Sequence, residues 1–593
     1  MSEYPENKNW RKSSQKLLPL LKDSHESGKY DIYPSFNIPD NQIFFGYDSL
    51  AREISRYRSV LIDGYSGVFF NDFRKHIDSY LKDHGFNAAW TNTEDFFKDP
   101  GTINEFIRPF SGNNDPLFGK RCSLELEDFF EIDSLKSIPG SYSCDIDIII
   151  GPGAFLTGRE GLRIYIDIPK NEIQYRARSG SIGNFGHPGF YDYREIYKCF
   201  YFVDWPVLNR HKQRFLHSAD IFSDGQRPDN PAWISGDDIR TALSEISRNP
   251  FRARPWFESG PWGGSWMKQN IPGINTDVPN YAWSFELISP ENGLLLESSS
   301  VFLEVSFDCI MYLAAEKILG DCFDRFQYDF PIRFDFLDTM DGGNLSIQCH
   351  PRPEYIRNNF GENLTQEETY YILDNKAGSS VFLGFCEDAD PDAFITALEK
   401  SRDFQTPFDT GKYILSLPSK KHDLFLIPYG TLHGSGKNNL VLEISTTPYI
   451  FTFKLYDWLR NDLDGRPRSL NIQRAAENLY FERKGACVQE SFVSKPELSD
   501  SGKEWKLFHL PTHKTHLLDI MRYHFTGEIE LETFNKCLVM NLVEGTTIDI
   551  VSRTGRIQTF SCYETFIIPA AAGKIKIYNR SATEAVLVYA FVK

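Results

Sequence analysis

Leu345-Ser-Ile-Gln-Cys-His-Pro351 sets Gln348 and His350 two residues apart. In a strand such residues project from one face, as two ligands of one metal would. Downstream, Glu367-Glu-Thr-Tyr-Tyr-Ile-Leu373 puts a carboxylate at the head of an apolar strand. Phe425-Leu-Ile-Pro-Tyr-Gly-Thr-Leu-His-Gly434 then ends a strand in a turn that carries His433. Two imidazoles, one carboxylate and an amide oxygen form a mixed N/O set suited to zinc or another borderline divalent ion. Such a set leaves room for a water or a substrate oxygen. Spacing alone leaves a blander reading open, in which these are histidines satisfied within a core or surface.

The elements that must position these groups fall into two textures that meet near residue 245. Between Val60 and Ile168 the pattern is strand, turn and helix, with buried-strand candidates at Val60–Asp63, Cys144–Ile150 and Leu162–Asp167 and a helix over Asn71–His84. β-Branched runs separated by helical segments predict a parallel sheet covered on both faces. The polar, turn-rich stretch Asp220–Ala232 predicts a loop or linker. After residue 250, short strands alternate with Gly and Pro turns up to Ala585–Ala590, which predicts two antiparallel barrels or jelly rolls. Helical insertions are expected at Val301–Leu319 and Ser469–Tyr480. The 593 residues suffice for roughly four folding units at about 150 residues each.

Composition narrows the function classes. Hydrophobic residues make up 41% and aromatics 15% of the chain, enough apolar surface to exclude disorder as the main state. A net charge of −17 and no basic stripe argue against a nucleic-acid partner. The 10 cysteines are scattered without a C-x-x-C pair, which suits reduced thiols. Met1–Lys8 lacks a signal-peptide pattern, and Ile148–Leu156 is far shorter than the ~20 residues that span a bilayer. The expectation is a soluble cytoplasmic protein with no membrane partner. Oligomeric state is not legible.

Several motifs in order resemble the type I mannose-6-phosphate isomerases, zinc-dependent cupin enzymes. Leu345–Pro351 looks like their Q-x-H-P motif, and Glu368 follows His350 by 18 residues as their ligand glutamate does. Pro428-Tyr-Gly-Thr-Leu-His433 matches P-x-G-T-x-H; Val441–Ile444, Leu455–Arg460 and Asp464–Arg468 follow in register, and Pro261-Trp-Gly-Gly264 resembles an entry motif. The resemblance covers about residues 250–593. It implies that Gln348, His350, Glu368 and His433 hold one zinc ion, that Arg460 is the active-site arginine, and that Trp262 borders the substrate. The implied reaction is aldose–ketose isomerisation of a sugar phosphate, mannose 6-phosphate to fructose 6-phosphate, through a cis-enediol. In Phe330-Pro-Ile-Arg-Phe-Asp-Phe-Leu337, Asp335 stands where the family carries a lysine, and Arg333 on the same strand face is the candidate replacement. That departure predicts a lower KM for Asp335→Lys. It also keeps open a binding module that holds metal and senses a sugar or sugar phosphate without turnover.

Ile62–Asp72 resembles the P-loop of uridine-kinase-like proteins, with Gly64 and Gly67 in the turn and Tyr175-Arg-Ala-Arg178 in place of lid arginines. The P-loop lysine and Ser/Thr are missing; Phe69, Phe70 and Asn71 stand there instead. Phosphoryl transfer is hard to support without them, so a degenerate or structural domain is expected. Tyr175–Arg178 reads equally as a solvated helix face. His509, His513, His516 and His524 read as surface histidines, and Ser419–His422 as a solvated hairpin tip. The expected fold is multi-domain: an extension (1–44), an α/β P-loop-like domain (45–245), a metal-binding cupin domain with helical insertions (246–484) and a second cupin or β domain (485–593).

Overall fold

A computed structural model describes residues 10–593, apart from 24, 25, 27, 113, 114, 142, 187–191, 449 and 462–464. The Met1–Lys8 stretch and Asp464 therefore lie outside the described residues. Toward the amino terminus, strands Ala88–Asn92, Ile146–Ile150, Ser59–Gly64, Leu162–Asp167 and Ile221–Asp224 lie side by side in parallel, in that order. Ala232–Ser235 and Ile43–Phe45 extend the sheet in antiparallel fashion. Ile146-Asp-Ile-Ile-Ile150 is buried throughout, as a strand covered on both faces must be. The expected loop at Asp220–Ala232 is corrected at its start. Ile221-Phe-Ser-Asp224 is a fully buried strand, and four residues are too few for periodicity to stand out from polar neighbours.

The middle of the chain builds a six-stranded sheet and a five-stranded sheet. The first runs Leu424–Ile427, Glu368–Asn375, Asn439–Thr446, Ile332–Asp338, Trp283–Leu287 and Trp256–Glu258. The second runs Ile414–Pro418, Ser380–Phe385, His433–Ser435, Ile347–Cys349 and Phe453–Tyr456. Ser419–His422 is thus no hairpin tip, because the strands on either side belong to different sheets. Its Lys421 and His422 both reach Glu544 in the carboxy-terminal unit, at 2.5 and 3.1 Å. The helical insertion expected from Val301 begins later: Val301–Ser306 is a buried strand, and the helix is Asp308–Leu319. Alternation is invisible in that strand because both faces are covered. The strand pairs with Gly293–Ser298, to which Ser35–Asn37 adds in parallel. Further along, a six-stranded and a four-stranded antiparallel sheet share one core that includes Phe525, Met540, Ile550 and Leu587. The chain is a multi-domain mixed α/β protein. Among the described residues no helix is long and apolar enough to cross a membrane.

The amino-terminal and middle units share a core. Phe118 and Phe202 pack on Phe451 with ring centroids 6.0 Å apart in both cases. Charge is buried there too: Lys212 Nζ donates to Asp167 Oδ1 at 2.7 Å and Asp308 Oδ1 at 2.5 Å. Lys170 donates to the other Asp308 oxygen at 2.8 Å. Removing one partner of such a cluster leaves an uncompensated buried charge. Lys212→Met is therefore expected to cost about 3–5 kcal/mol, read as a lower urea midpoint. An unchanged midpoint would show that this cluster does not hold the units together.

Candidate metal site and its cavity

Gln348 and His433 sit opposite each other on paired strands of the five-stranded sheet. Glu368 heads its strand in the six-stranded sheet, so the site forms where the two sheets meet. His350 Nε2 and His433 Nε2 each lie 2.9 Å from Glu368 Oε2. All three residues are buried, and their ligand atoms lie within 4.8 Å of one another. Among the described residues this is the one such group of His, Cys, Asp and Glu. The histidines of the carboxy-terminal unit find separate partners, His509 on Asp519 and His524 on Glu584.

The surroundings fix which nitrogen faces inward. His350 Nδ1 lies 3.2 Å from the Phe451 carbonyl, and His433 Nδ1 lies 2.9 Å from the Thr431 carbonyl. A carbonyl only accepts, so each Nδ1 carries the hydrogen and each Nε2 turns a lone pair toward Glu368. Burial pushes the His350 imidazole below its usual range against the pull of Glu368, which keeps that ring neutral. Three acceptors facing one another without a proton fit a divalent cation, and carbonyl-oriented histidines are the usual support of such a site. Gln348 Oε1 accepts from Ser346 Oγ at 2.9 Å while its Nε2 lies 3.3 Å from His433 Nε2. A half-turn of that amide preserves the Ser346 bond and turns the oxygen inward as a fourth donor.

The turn before His433 is clamped from several sides. Gly430 (φ +72°) donates to His350 O at 2.9 Å, and a Cβ there would lie 2.6 Å from Asn478 O. Arg483 Nη1 donates to Tyr429 O at 2.7 Å and to Thr431 Oγ1 at 2.5 Å. The Trp262-Gly263-Gly264 turn is equally tight: a Cβ on Gly264 would come within 2.1 Å of Asp338 Oδ1.

Gln348 and Glu368 open onto a cavity of about 370 Å³ that Trp262, Arg333 and Glu443 also line. Lys454 and Arg468 line it as well. Arg333 Nε donates to Asp335 Oδ2 at 2.6 Å and Arg333 Nη1 lies 3.1 Å from Glu443 Oε1. Asp335 is fully buried and is not among the lining residues, so it holds the guanidinium from beneath. A lysine at 335 would bury a second cation against Arg333; the expectation of an improved KM for Asp335→Lys gives way to one of lost stability. Arg460 is likewise not among the lining residues; its Nη2 bonds Asp457 Oδ1 at 2.5 Å, and Asp457 Oδ2 pairs with Arg468 at 2.7 Å.

Sequence reasoning missed Lys454, Glu443 and Arg483. Glu443 stands inside the Val441–Ile444 stretch, directly opposite Asp335 across the strand pair, and that register was its only signal. Burial raises its carboxyl well above the usual range, with Arg333 opposing.

In the amino-terminal unit, Gly64 and Gly67 do flank a strand–turn–helix link between Ser59–Gly64 and Phe70–Asp83. Arg176 is fully buried, against the reading of a solvated face. It donates to Gly67 O at 2.6 Å and to Gly225 O at 2.7 Å, and its guanidinium lies 4.4 Å from the Phe69 ring centroid. An arginine that binds the carbonyls of this turn, stacked on Phe69, stands where a phosphate would need amide donors.

Residues 46–248 match a family model described as a domain of unknown function (DUF8485). A mannose-6-phosphate isomerase of Streptococcus mutans is 26% identical over 219 residues, 37% of this chain and 64% of that protein's length. Mannose-6-phosphate isomerase ManA of Bacillus subtilis is 24% identical over 233 residues, 39% of this chain and 68% of its own. A crystal structure of the mannose 6-phosphate isomerase from Bacillus subtilis covers 57% of this chain at 20% identity, with a TM-score of 0.47. The sequence similarity supports the isomerase-like cupin module.

His433→Ala removes one inward lone pair and is expected to drop bound divalent metal from near stoichiometric to a small residue, measured by mass spectrometry of the dialysed protein. Metal retained at full stoichiometry would rule His433 out as a ligand.

Proposed function

We infer that the chain is a metal-dependent isomerase of a sugar phosphate, interconverting an aldose and a ketose, with mannose 6-phosphate and fructose 6-phosphate as the pair. The observation that carries this reading is the buried His350–Glu368–His433 cluster opening into a cavity bordered by cations. The similarity to mannose-6-phosphate isomerases supports the choice of sugar. Gln348, His350, Glu368 and His433 are the proposed ligands, and the N/O donor set favours zinc. When bound, the ion would orient the sugar oxygens and stabilise negative charge developing on the way to a cis-enediol.

The chain's own residues supply the rest. The paired Nδ1–carbonyl contacts hold both imidazoles in one tautomer, so the donor geometry need not reorganise during the reaction. Trp262 closes one side of the cavity and is 1% exposed, which excludes water from that wall. Arg333 is already engaged by Asp335 and Glu443, so Lys454 is the better candidate to meet an anionic substrate group. Arg460, tied to Asp457, acts in this account as part of the frame that orients Arg468.

The carboxylates around Arg333 favour a second reading, a cupin that holds metal and a sugar phosphate without turning it over. A coupled assay from mannose 6-phosphate to fructose 6-phosphate separates the two: chelator-sensitive turnover supports the isomerase, and metal-dependent binding without turnover supports the sensor. Within the isomerase reading, Lys454→Met is expected to raise KM about tenfold or more while kcat changes less, because a charge-assisted contact to the bound substrate is lost. An unchanged KM would remove Lys454 from the substrate site.

A further inference from the structure

A second cavity, of about 330 Å³, opens where the amino-terminal and middle units meet. Among the described residues it shares no lining residue with the cavity at the metal cluster. Its volume falls within the ~300–1,000 Å³ of small-molecule sites. One wall stands beyond the carboxyl ends of the parallel strands. Ser59–Gly64 and Leu162–Asp167 are neighbours there, and the connections that follow them leave toward opposite edges of the sheet. Open α/β sheets hold ligands at such a point, where the strand order reverses. Lys170, just past the second strand, lines the cavity with its Nζ 4.9 Å from the Tyr65 ring centroid.

The same wall is built by a helical run that also borders the metal cavity. Tyr193–Cys199 continues through a π-helical turn, Phe200–Asp204, into Trp205–Phe215. Tyr197 lines the metal cavity, whereas Tyr201 and Trp205 line this one. A π turn gives up regular α-helical bonding, and such turns are frequent at functional sites. Trp205 is 3% exposed, and its Nε1 is buried without a hydrogen-bond partner. Asn209, one helical turn on, also lines the cavity. Its Oδ1 accepts from Tyr65 Oη at 2.6 Å, which leaves the amide hydrogens to donate elsewhere. A buried donor without an acceptor is costly, so this wall favours a ligand that brings oxygen acceptors.

The charges of the cavity are already balanced. Its cations are Arg121, Lys170 and Arg325, and its carboxylates are Asp308, Asp329 and Glu362. Lys170 pairs with Asp308 at 2.8 Å, and Arg121 with Glu362 at 3.4 Å and Asp329 at 4.0 Å. Equal numbers of opposite charges, mostly engaged with one another, leave no net field to draw in an ion. They do set fixed donors and acceptors side by side, and a hydroxyl, which both donates and accepts, can join such pairs. Tyr312 and Tyr328, with ring centroids 5.8 Å apart, add aromatic surface. The negative face of an aromatic ring suits the C–H side of a sugar ring.

We propose that this cavity is a second binding site, for an uncharged sugar, formed jointly by the amino-terminal domain and the middle unit. Trp205 and Asn209 donate to the sugar's oxygens, the carboxylates accept from its hydroxyls, and Tyr328 covers its apolar face. The site is separate from the metal cluster and does not depend on the isomerase reading. It gives the domain of unknown function a role that needs no P-loop lysine. The ligand lies beside the point where the strand order reverses, while Arg176 fills the Gly64–Gly67 turn.

The test is calorimetric titration of the full-length protein with D-mannose, D-fructose, D-glucose and D-ribose. The proposal expects at least one of them to bind. Tyr328→Ala, at a position 36% exposed, removes ring surface without opening the core and is expected to weaken that binding about fivefold or more. Trp205→Phe keeps an aromatic ring, removes the Nε1–H donor and is expected to weaken it about threefold or more. His433→Ala, which acts at the metal cluster, is expected to leave it unchanged. No binding of any of these sugars at millimolar concentration overturns the proposal, as does unchanged affinity in both cavity variants. Loss of binding in His433→Ala also overturns it, because the sugar would then sit at the metal cluster. Tighter binding of the matching phosphate ester by the His433→Ala protein overturns the choice of an uncharged ligand. Failure here leaves mannose 6-phosphate turnover untouched, and failed turnover leaves this site standing.

Discussion

Two imidazole nitrogens and a carboxylate oxygen face one another in a buried space at the edge of the cavity, each presenting a lone pair. His350 and His433 cannot relieve the conflict by turning over, because each ring gives its other nitrogen to a backbone carbonyl. A cation placed between them satisfies all three at once. Much of the surrounding structure serves that convergence. Glu368 arrives from one sheet, Gln348 and His433 from the other, and Gly430 carries the chain tightly past His350 so that His433 enters its strand in register. Arg483, from a distant part of the chain, fixes that turn by bonding its carbonyl and hydroxyl oxygens.

The same logic of buried charge held by geometry recurs at the edge of the cavity. Arg333 lies between Asp335 and Glu443, one beneath it on its own strand and one on the neighbouring strand. Asp457 similarly divides its two oxygens between Arg460 and Arg468. In both places a carboxylate holds a guanidinium in position and offsets its charge. Burial and the nearby Arg468, Arg460 and Arg194, against the pull of Asp457, push the Lys454 ammonium down to about 8.

How much of this could be read from the residues alone depended on the range of the interactions. Gln348, His350 and His433 stand in short motifs with fixed spacing, and their proximity follows once strands are placed there. Glu368 is recognisable only by its distance from His350 and its position before an apolar strand. Lys454 and Arg483 carry no local signal, and Glu443 only its place in the Val441–Ile444 stretch, because what brings them to the site is strand register and a long return of the chain. Asp335 was legible as a departure in charge, but its partner and its burial were not, and that reversed the expected effect of replacing it. Arg176 looks solvated in a run of polar residues; it is buried because the turn after Ser59–Gly64 offers it carbonyls and Phe69 offers it a ring face. Ile221–Asp224 and Val301–Ser306 are strands whose two covered faces erase the alternation that would have marked them.

The convergence of acceptors can be tested without reference to turnover. Crystals of the protein as purified, measured on both sides of the zinc absorption edge, would place any bound zinc directly. The account predicts one anomalous peak among His350, Glu368 and His433, about 2.0–2.2 Å from both Nε2 atoms and the carboxylate oxygen. No peak there after zinc is supplied, with a proton shared between Glu368 and a histidine in its place, would contradict it.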